Sequence, residues 1–137
     1  MTSTKSPCPF CTLPESRIVE ENEYGVLILD GFPVSLRHSL VIPKRHVGSF
    51  FDITEYERIG LLKLLDRAKE MVANQHRPAG YNIGINDGAA AGQTVPHLHI
   101  HFIPRYDKDQ NVPRGGVRWV IPEKADYWTG RSTLKTK

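Results

Sequence analysis

Three histidines, His97, His99 and His101, alternate with Leu98, Ile100 and Phe102 in the stretch Gln93-Thr94-Val95-Pro96-His97-Leu98-His99-Ile100-His101-Phe102-Ile103-Pro104. Period-two alternation is the pattern of a half-buried strand, with the imidazoles on one face and the apolar side chains on the other. A surface strand ordinarily carries Thr, Lys or Glu, and nothing in folding asks for three imidazoles in a row. Three readings compete: a solvated face, a metal site of i, i+2, i+4 imidazoles, and a nucleophilic or acid-base histidine. The segment upstream favours the third. Asn86-Asp87-Gly88-Ala89-Ala90-Ala91-Gly92-Gln93-Thr94 holds two glycines, small side chains and a hydroxyl. Such a loop lets backbone N–H groups close on an anion, although alone it reads sooner as an ordinary hairpin connection. Feeding into the histidine strand, it reads as a phosphate-binding wall beside a nucleophile.

The chain has two cysteines, Cys8 and Cys11, in a C-x-x-C. That spacing means a metal half-site or a redox pair. A redox pair usually caps a helix within a βαβ pattern. Here Pro7 and Pro9 flank the motif and no strand precedes it, so half a zinc site is preferred, and it needs two more ligands.

The elements that must position these groups follow from pattern. Ile18 to Tyr24 reads as a strand with a turn at Asn22 or Gly25, and Val26-Leu27-Ile28-Leu29 as a buried strand ending in the turn Asp30-Gly31-Phe32-Pro33. Ser39 to Pro43 is a further strand. Thr54-x-x-Glu57 is a capping box, with Ile53 as a hydrophobic staple, opening the one convincing helix. Its apolar face is read as Ile59, Leu62, Leu65, Ala68 or Lys69, and Val72, with Gly60 weakening it and Pro78-Ala79-Gly80 ending it. Tyr81 to Asn86 reads as a strand into the glycine loop, and Trp119-Val120-Ile121 as a short edge strand. The class is α+β: an antiparallel sheet of about five strands with one main helix.

At 137 residues the chain suits a single domain, 1–137, with 1–7 and about 129–137 as flexible tails. A formal charge of +3 is too small to argue for nucleic acid, and the basic residues after Arg105 read as a solvated tail. No signal peptide and no membrane-length apolar run is visible, so a cytoplasmic protein is expected.

The run Gly92-Gln93-Thr94-Val95-x-His97-Leu98-His99-Ile100-His101-Phe102-Ile103 resembles the signature of the histidine triad (HIT) superfamily of nucleotide hydrolases and transferases. Asp30-x-x-Pro33, the stretch from His38 to His46, and Asn86-Asp87-Gly88 extend the resemblance from about Cys8 to about Tyr127. It implies a HIT-like fold and cleavage of a phosphoanhydride at the α-phosphorus of a dinucleoside polyphosphate, releasing a mononucleotide. By that resemblance His99 is the nucleophile that carries the nucleotidyl group, and His101 contacts the α-phosphate. Gln93 and Thr94, with amides around Gly92 and Val95, hold phosphate oxygens. Asn86 stands near the phosphate. Asp30 binds ribose hydroxyls, with turn capping as the plain alternative, and apolar residues around Ile28 and Leu29 cover the base.

The resemblance also implies a structural zinc held by Cys8, Cys11, His46 and His97, a closed Cys₂His₂ set. Magnesium would accompany the substrate's phosphates, with no organic cofactor. A homodimer is implied, with no nucleic-acid or membrane partner. His38 is read as orienting a loop of the site, and His76 as exposed at a helix end. Other readings are a phosphoramidase, a phosphorylase, or a zinc-stabilised nucleotide-binding module without turnover. Two positions depart from the family pattern. Leu36-Arg37 stands where Pro-Gly is common, so that Arg37 either reaches a polyphosphate or only alters the loop, and Ala89 stands where an acid is frequent. Arg105 resembles the branch acting on dinucleoside polyphosphates.

Overall fold

The apolar run Gly25–Leu29 (β2) pairs on both sides, with Ile18–Glu21 (β1) and with Ser39–Pro43 (β3). Gly80–Gly84 (β4) and Ile100–Arg105 (β5) complete one antiparallel sheet in the order β1-β2-β3-β5-β4. The computed structural model describes residues 8–130, so the tails expected at 1–7 and about 129–137 lie outside the described residues except for Thr129 and Gly130. The main helix, Glu55–His76 (α1), covers one face of the sheet. Leu27, Val41, Leu98, Ile100 and Phe102 meet Leu61, Leu64, Ala68 and Val72 there, each nearly or wholly removed from water. Burial of side chains this size stabilises the fold by roughly 2 kcal/mol apiece. On the other face Val26, Ile28, Leu40 and Ile42 lie beneath Phe10, Leu13 and Ile18.

Sheet and helix approach closely at Gly25, where a Cβ would stand 2.6 Å from Leu61 Cδ2 and 2.8 Å from the Ile42 carbonyl oxygen. The turn before it is built by Asn22. Its Oδ1 accepts from the Tyr24 and Gly25 amides, and its Nδ2 donates to the Gly60 carbonyl. That turn ends β1 at Glu21, at the first of the two turn positions the sequence offers.

α1 starts as its capping box requires. The Glu57 amide donates to Thr54 Oγ1 at 3.0 Å and the Thr54 amide to Glu57 Oε1 at 2.8 Å. Arg45 donates to both oxygens of the same carboxylate, at 2.9 and 2.8 Å. With these donors, the Arg45 pair foremost, the Glu57 carboxyl is held down to about 2. The helix start is thereby tied to the residue before His46. Arg77, in the left-handed region at φ 51°, ends the helix just ahead of Pro78.

The face of α1 differs from the expected one in its first turns, while Ala68 and Val72 lie on it as expected. Gly60, Leu61, Leu64, Ala68 and Val72 are buried, whereas Ile59 and Leu62 are 47% and 46% exposed. The helix carries two apolar stripes about 100° apart, and the sheet takes the one that turns Gly60 toward Tyr24. The histidine strand also starts later than its alternation suggests, at Ile100. Opposite it, β4 stops at Gly84 and pairing with β3 stops at Val41, so the earlier residues have no ladder to join. Trp119 lies in a 3-10 helix, Gly116–Val120, instead of a strand. Local bonds close that turn: Trp119 Nε1 donates to the Arg114 carbonyl, and the Arg118 guanidinium to the carbonyls of Lys124 and Ala125.

The chain divides into two compact units, one ending at Arg105 and one beginning at Tyr106. Every candidate site residue is in the first. The second contains the 3-10 helix and a short helix, Pro122–Ala125 (α2). Among the described residues no helix is long and apolar enough to cross a membrane.

Candidate active site and metal centre

The backbone between the glycine loop and β5 is held by long-range bonds. The Leu98 amide donates to the Val47 carbonyl at 2.7 Å, and His97 Nε2 donates to the Pro43 carbonyl at 2.8 Å. Because a carbonyl can only accept, the second bond places the proton of His97 on Nε2 and its lone pair on Nδ1. That lone pair looks into a cluster. Cys8 Sγ lies 3.3 Å from it, Cys11 Sγ 3.5 Å and His46 Nδ1 3.1 Å, while Cys11 Sγ is 3.1 Å from His46 Nδ1. All four donor atoms lie within 4.8 Å of one another. A tetrahedral zinc with Zn–S near 2.3 Å and Zn–N near 2.0 Å puts its ligands about 3.3–3.8 Å apart. The donor set and its spacing fit such an ion. His97 is wholly buried, and that burial, reinforced by neighbouring His46 and His99, pulls its pKa below the ordinary histidine value. A neutral imidazole with an anchored Nε2–H is the form a metal ligand takes. Both cysteines are free thiols, so no disulfide competes.

His99 is set by its own chain. Its Nδ1 donates to the His97 carbonyl at 2.8 Å, leaving Nε2 as the lone pair of the neutral ring. The next histidine is set the opposite way. The Val34 amide donates to His38 Nδ1 at 3.1 Å, so His38 carries its proton on Nε2. This Nε2 stands 3.0 Å from His101 Nδ1 and 3.3 Å from Asp30 Oδ2. Burial, chiefly, lowers the pKa of both His38 and His101 and keeps both rings neutral near pH 7. His101 Nδ1 therefore accepts, and its Nε2 carries the proton. Adjacent rings 5.2 Å apart thus offer a nucleophilic nitrogen on His99 and a hydrogen-bond donor on His101.

By proximity alone Asp30, His38 and His101 also form a metal-sized cluster. Their hydrogen bonding separates them from the first one. His38 Nε2 is a donor, whereas the inward Nδ1 of His97 is a lone pair. The second cluster is a proton-ordered network.

Asp30 takes the turn-capping role left open by the sequence, its Oδ1 accepting from the Phe32 amide at 2.8 Å. Gln93 departs from its expected place among the phosphate donors. Both N–H groups of its amide are committed, to the carbonyls of Gly48 and Val95, and its Oε1 accepts from the Gly88 amide. Gln93 braces the loop. Gly88 and Gly92, both at φ 98°, turn that loop around the 3-10 helix Ala89–Ala91 and bring Asn86 to within 4.0 Å of a Cβ built on Gly92. The Gly92 and Gln93 amides are used inside the loop, whereas the Thr94 and Val95 amides and the Thr94 hydroxyl have no partner among the described residues.

Two expectations are narrowed by the geometry of the sheet. Ile28 is wholly buried, beneath Phe10, and Leu29 faces the helix side, where it lines a cleft with Leu27, Ala68, Met71 and Val72. Leu29 is thereby turned away from the histidines, whereas Ile28 shares their face through its pairing with Leu40, the partner of His101. Arg37 lines the same cleft and holds φ 71°, so it alters the loop and does not face the phosphate wall. The sequence reading passed over Phe10, whose ring packs edge-on against His97 and His99, and the Pro43 carbonyl. It also passed over Asp87, whose Oδ2 accepts from the Ser49 hydroxyl and the Phe50 amide, both at 3.0 Å, and so ties the glycine loop to the turn before α1. The position of Phe10 between two cysteines was the one available signal.

The family model described as HIT domain matches residues 13–108. An uncharacterized HIT-like protein of Mycoplasma genitalium is 36% identical over 109 residues, 77% of each chain. An AP-4-A phosphorylase of Mycobacterium tuberculosis is 33% identical over 88% of this chain and 66% of its own length. A bis(5'-adenosyl)-triphosphatase of Saccharomyces cerevisiae is 33% identical over 89% of this chain, which spans 57% of the yeast protein. Among solved structures, a zinc-bound histidine triad family protein of Mycobacterium smegmatis superposes with a TM-score of 0.63 at 36% identity, covering 68% of each chain.

Proposed function

The chain belongs to the HIT domain family, and from that premise we propose that it hydrolyses a dinucleoside polyphosphate at the α-phosphorus through a nucleotidyl-His99 intermediate. The observation that carries the reading is the bond from His99 Nδ1 to the His97 carbonyl, which leaves Nε2 as the free nucleophile beside a donating His101. His99 Nε2 attacks the α-phosphorus, a P–N bond forms, and the bond from that phosphorus to the bridging oxygen breaks. The leaving nucleotide departs with the electron pair. Water then attacks the same phosphorus, the P–N bond breaks, and a mononucleotide and neutral His99 are released. A neutral imidazole suits both steps, being a nucleophile near pH 7 and a leaving group from phosphorus.

His101 Nε2–H, the Thr94 hydroxyl and the amides of Thr94 and Val95 stabilise charge on the non-bridging oxygens. Preorganised donors of this kind are ordinarily the largest catalytic contribution. Asn86 stands at the leaving-group side, and the Asp30 oxygen not used by the turn accepts from a ribose hydroxyl. Gln93 contributes by holding the loop, and Gly92 by letting it turn. Magnesium travels with the substrate's phosphates. Cys8, Cys11, His46 and His97 hold a structural zinc, a reading supported by the His97–Pro43 anchor and by the zinc-bound mycobacterial relative.

A second reading, phosphorolysis, is favoured by the likeness to a protein named AP-4-A phosphorylase. There inorganic phosphate replaces water in the second step and the product is a nucleoside diphosphate. Incubation with diadenosine tri- and tetraphosphate and with an adenosine phosphoramidate, with and without phosphate, separates the cases. AMP release from the dinucleotides regardless of phosphate is expected. ADP formed only with phosphate supports the second reading, and no turnover of any of the three overturns both.

A further inference from the structure

Phe10 sits between the two cysteines, and its ring packs edge-on against two of the triad histidines. The centroid separations are 5.9 Å to His97 at 86° and 5.0 Å to His99 at 67°. We propose that Phe10 is a positioning residue for His99, held in place by the metal-bound Cys8–Cys11 turn, so that metal loading is read out at the nucleophile. The proposal deepens the catalytic reading above and rests on it for its kinetic arm.

The need for such a contact follows from how His99 is held. One hydrogen bond, from Nδ1 to the His97 carbonyl, sets the tautomer but leaves the ring able to rock about that bond. In-line attack tolerates little rocking, since a displacement of about 1 Å costs on the order of 10²-fold in rate. Phe10 on one side and the His101 ring at 5.2 Å on another restrain it. Phe10 in turn has few anchors. The first 3-10 helix begins at Glu15 and the first strand at Ile18, so the segment from Cys8 to Pro14 has no ladder bonds. Its ties are the turn itself, in which the Cys11 amide and Thr12 Oγ1 both donate to the Cys8 carbonyl at 3.2 Å, and apolar packing on the sheet. Among the described residues the other ties are the Pro14 carbonyl, which accepts from the Arg17 amide at 2.9 Å, and the two sulfurs directed at His97 and His46. Releasing the sulfurs frees both ends of the turn that carries the ring.

The test uses the wild-type chain and Phe10→Leu, each zinc-loaded and zinc-stripped. Leucine keeps apolar cover over Ile28 and Leu40 but lacks the flat ring. Loaded Phe10→Leu should bind one zinc, melt within a few degrees of wild type, and keep KM within about twofold while kcat falls about tenfold. Phe10→Tyr, which retains the ring edge, should restore kcat. Carbon-bound ring signals of His99 give the readout independent of activity. Stripping zinc should move them in wild type toward their positions in Phe10→Leu, and should move them less than half as far in the variant. An unchanged kcat in Phe10→Leu overturns the proposal, and so do equal shifts on stripping in both chains. A wild-type chain that forms no nucleotidyl-His99 sinks the catalytic reading separately, and the ring-signal cycle still decides whether Phe10 couples the metal to His99.

Discussion

Replacing His38 by phenylalanine keeps the bulk of the buried ring and removes one donor and one acceptor. The acceptor loss falls on the Val34 amide, which belongs to a residue 72% exposed, so water replaces the lost partner at little cost. The donor loss falls on His101 Nδ1, whose side chain is 24% exposed. Stripping one partner from a mostly buried group costs about 1–3 kcal/mol of stability, so a fall in melting temperature of several degrees is expected. The effect on rate is bounded differently. A neutral hydrogen bond contributes about 1 kcal/mol net, so its loss shifts the His101 tautomer balance roughly fivefold, and up to about thirtyfold if the Asp30 contact shifts with it. His38→Phe should therefore lower kcat by about 5- to 30-fold with KM nearly unchanged, in steady-state assays of AMP release. Ring nitrogen NMR of His101 should show the Nδ1–H form appearing where Nε2–H prevailed. A variant with full kcat, or one as dead as His99→Ala, contradicts the assigned role of His38.

Three further outcomes follow from the same geometry. Elemental analysis should find one zinc per chain, and Cys8→Ser or chelation should remove it and lower the melting temperature, since metal binding energy becomes folding energy; protein without stoichiometric metal rules the site out. The Glu57 carboxyl is held at about 2 against an ordinary 4.5, and a depressed carboxylate stabilises the fold above its unfolded pKa and loses that stabilisation as pH falls through the folded value. The shift corresponds to roughly 3 kcal/mol, trimmed by solvent to about 2 because Arg45 is 51% exposed; urea unfolding between pH 5 and 2 should show it in wild type and not in Glu57→Gln. Ile59, Leu62 and Ile83 are each about half exposed on α1 and the edge strand β4, so a second copy is expected to cover them, with light scattering giving a dimer mass that Leu62→Lys abolishes. A monomer mass for the unchanged protein at micromolar concentration refutes this.

Much of the fold was legible because it is local. The capping box at Thr54 and Glu57, the strand Ser39–Pro43 and the apolar run of β2 form where their spacing places them. The helix face was misread because Ile59 and Leu62 make as good a stripe as Leu61 and Leu64. Only the tertiary approach of Gly60 to Tyr24 chooses between them. The alternation of the three histidines was visible, but the start of β5 depends on where β3 and β4 run out, which no local pattern records. Convergence of Cys8, Cys11, His46 and His97 was anticipated only through family resemblance, since their separations in the chain carry no geometric information. The orientation of each imidazole was beyond reach of the sequence. It rests on which carbonyl or amide happens to face it: Pro43 for His97, His97 itself for His99, and Val34 for His38. Gln93 was misplaced for the same reason, because its amide finds Gly48, forty-five residues away.

The most direct measurement of the central claim is to quench the protein during turnover of a diadenosine polyphosphate and map the peptide from Pro96 to Arg105 by mass. An acid-labile nucleotidyl group on His99 is predicted, absent from His99→Ala, which should still bind substrate while losing nearly all of its kcat. A nucleotidyl group on any other residue, or substantial turnover by His99→Ala, contradicts the account.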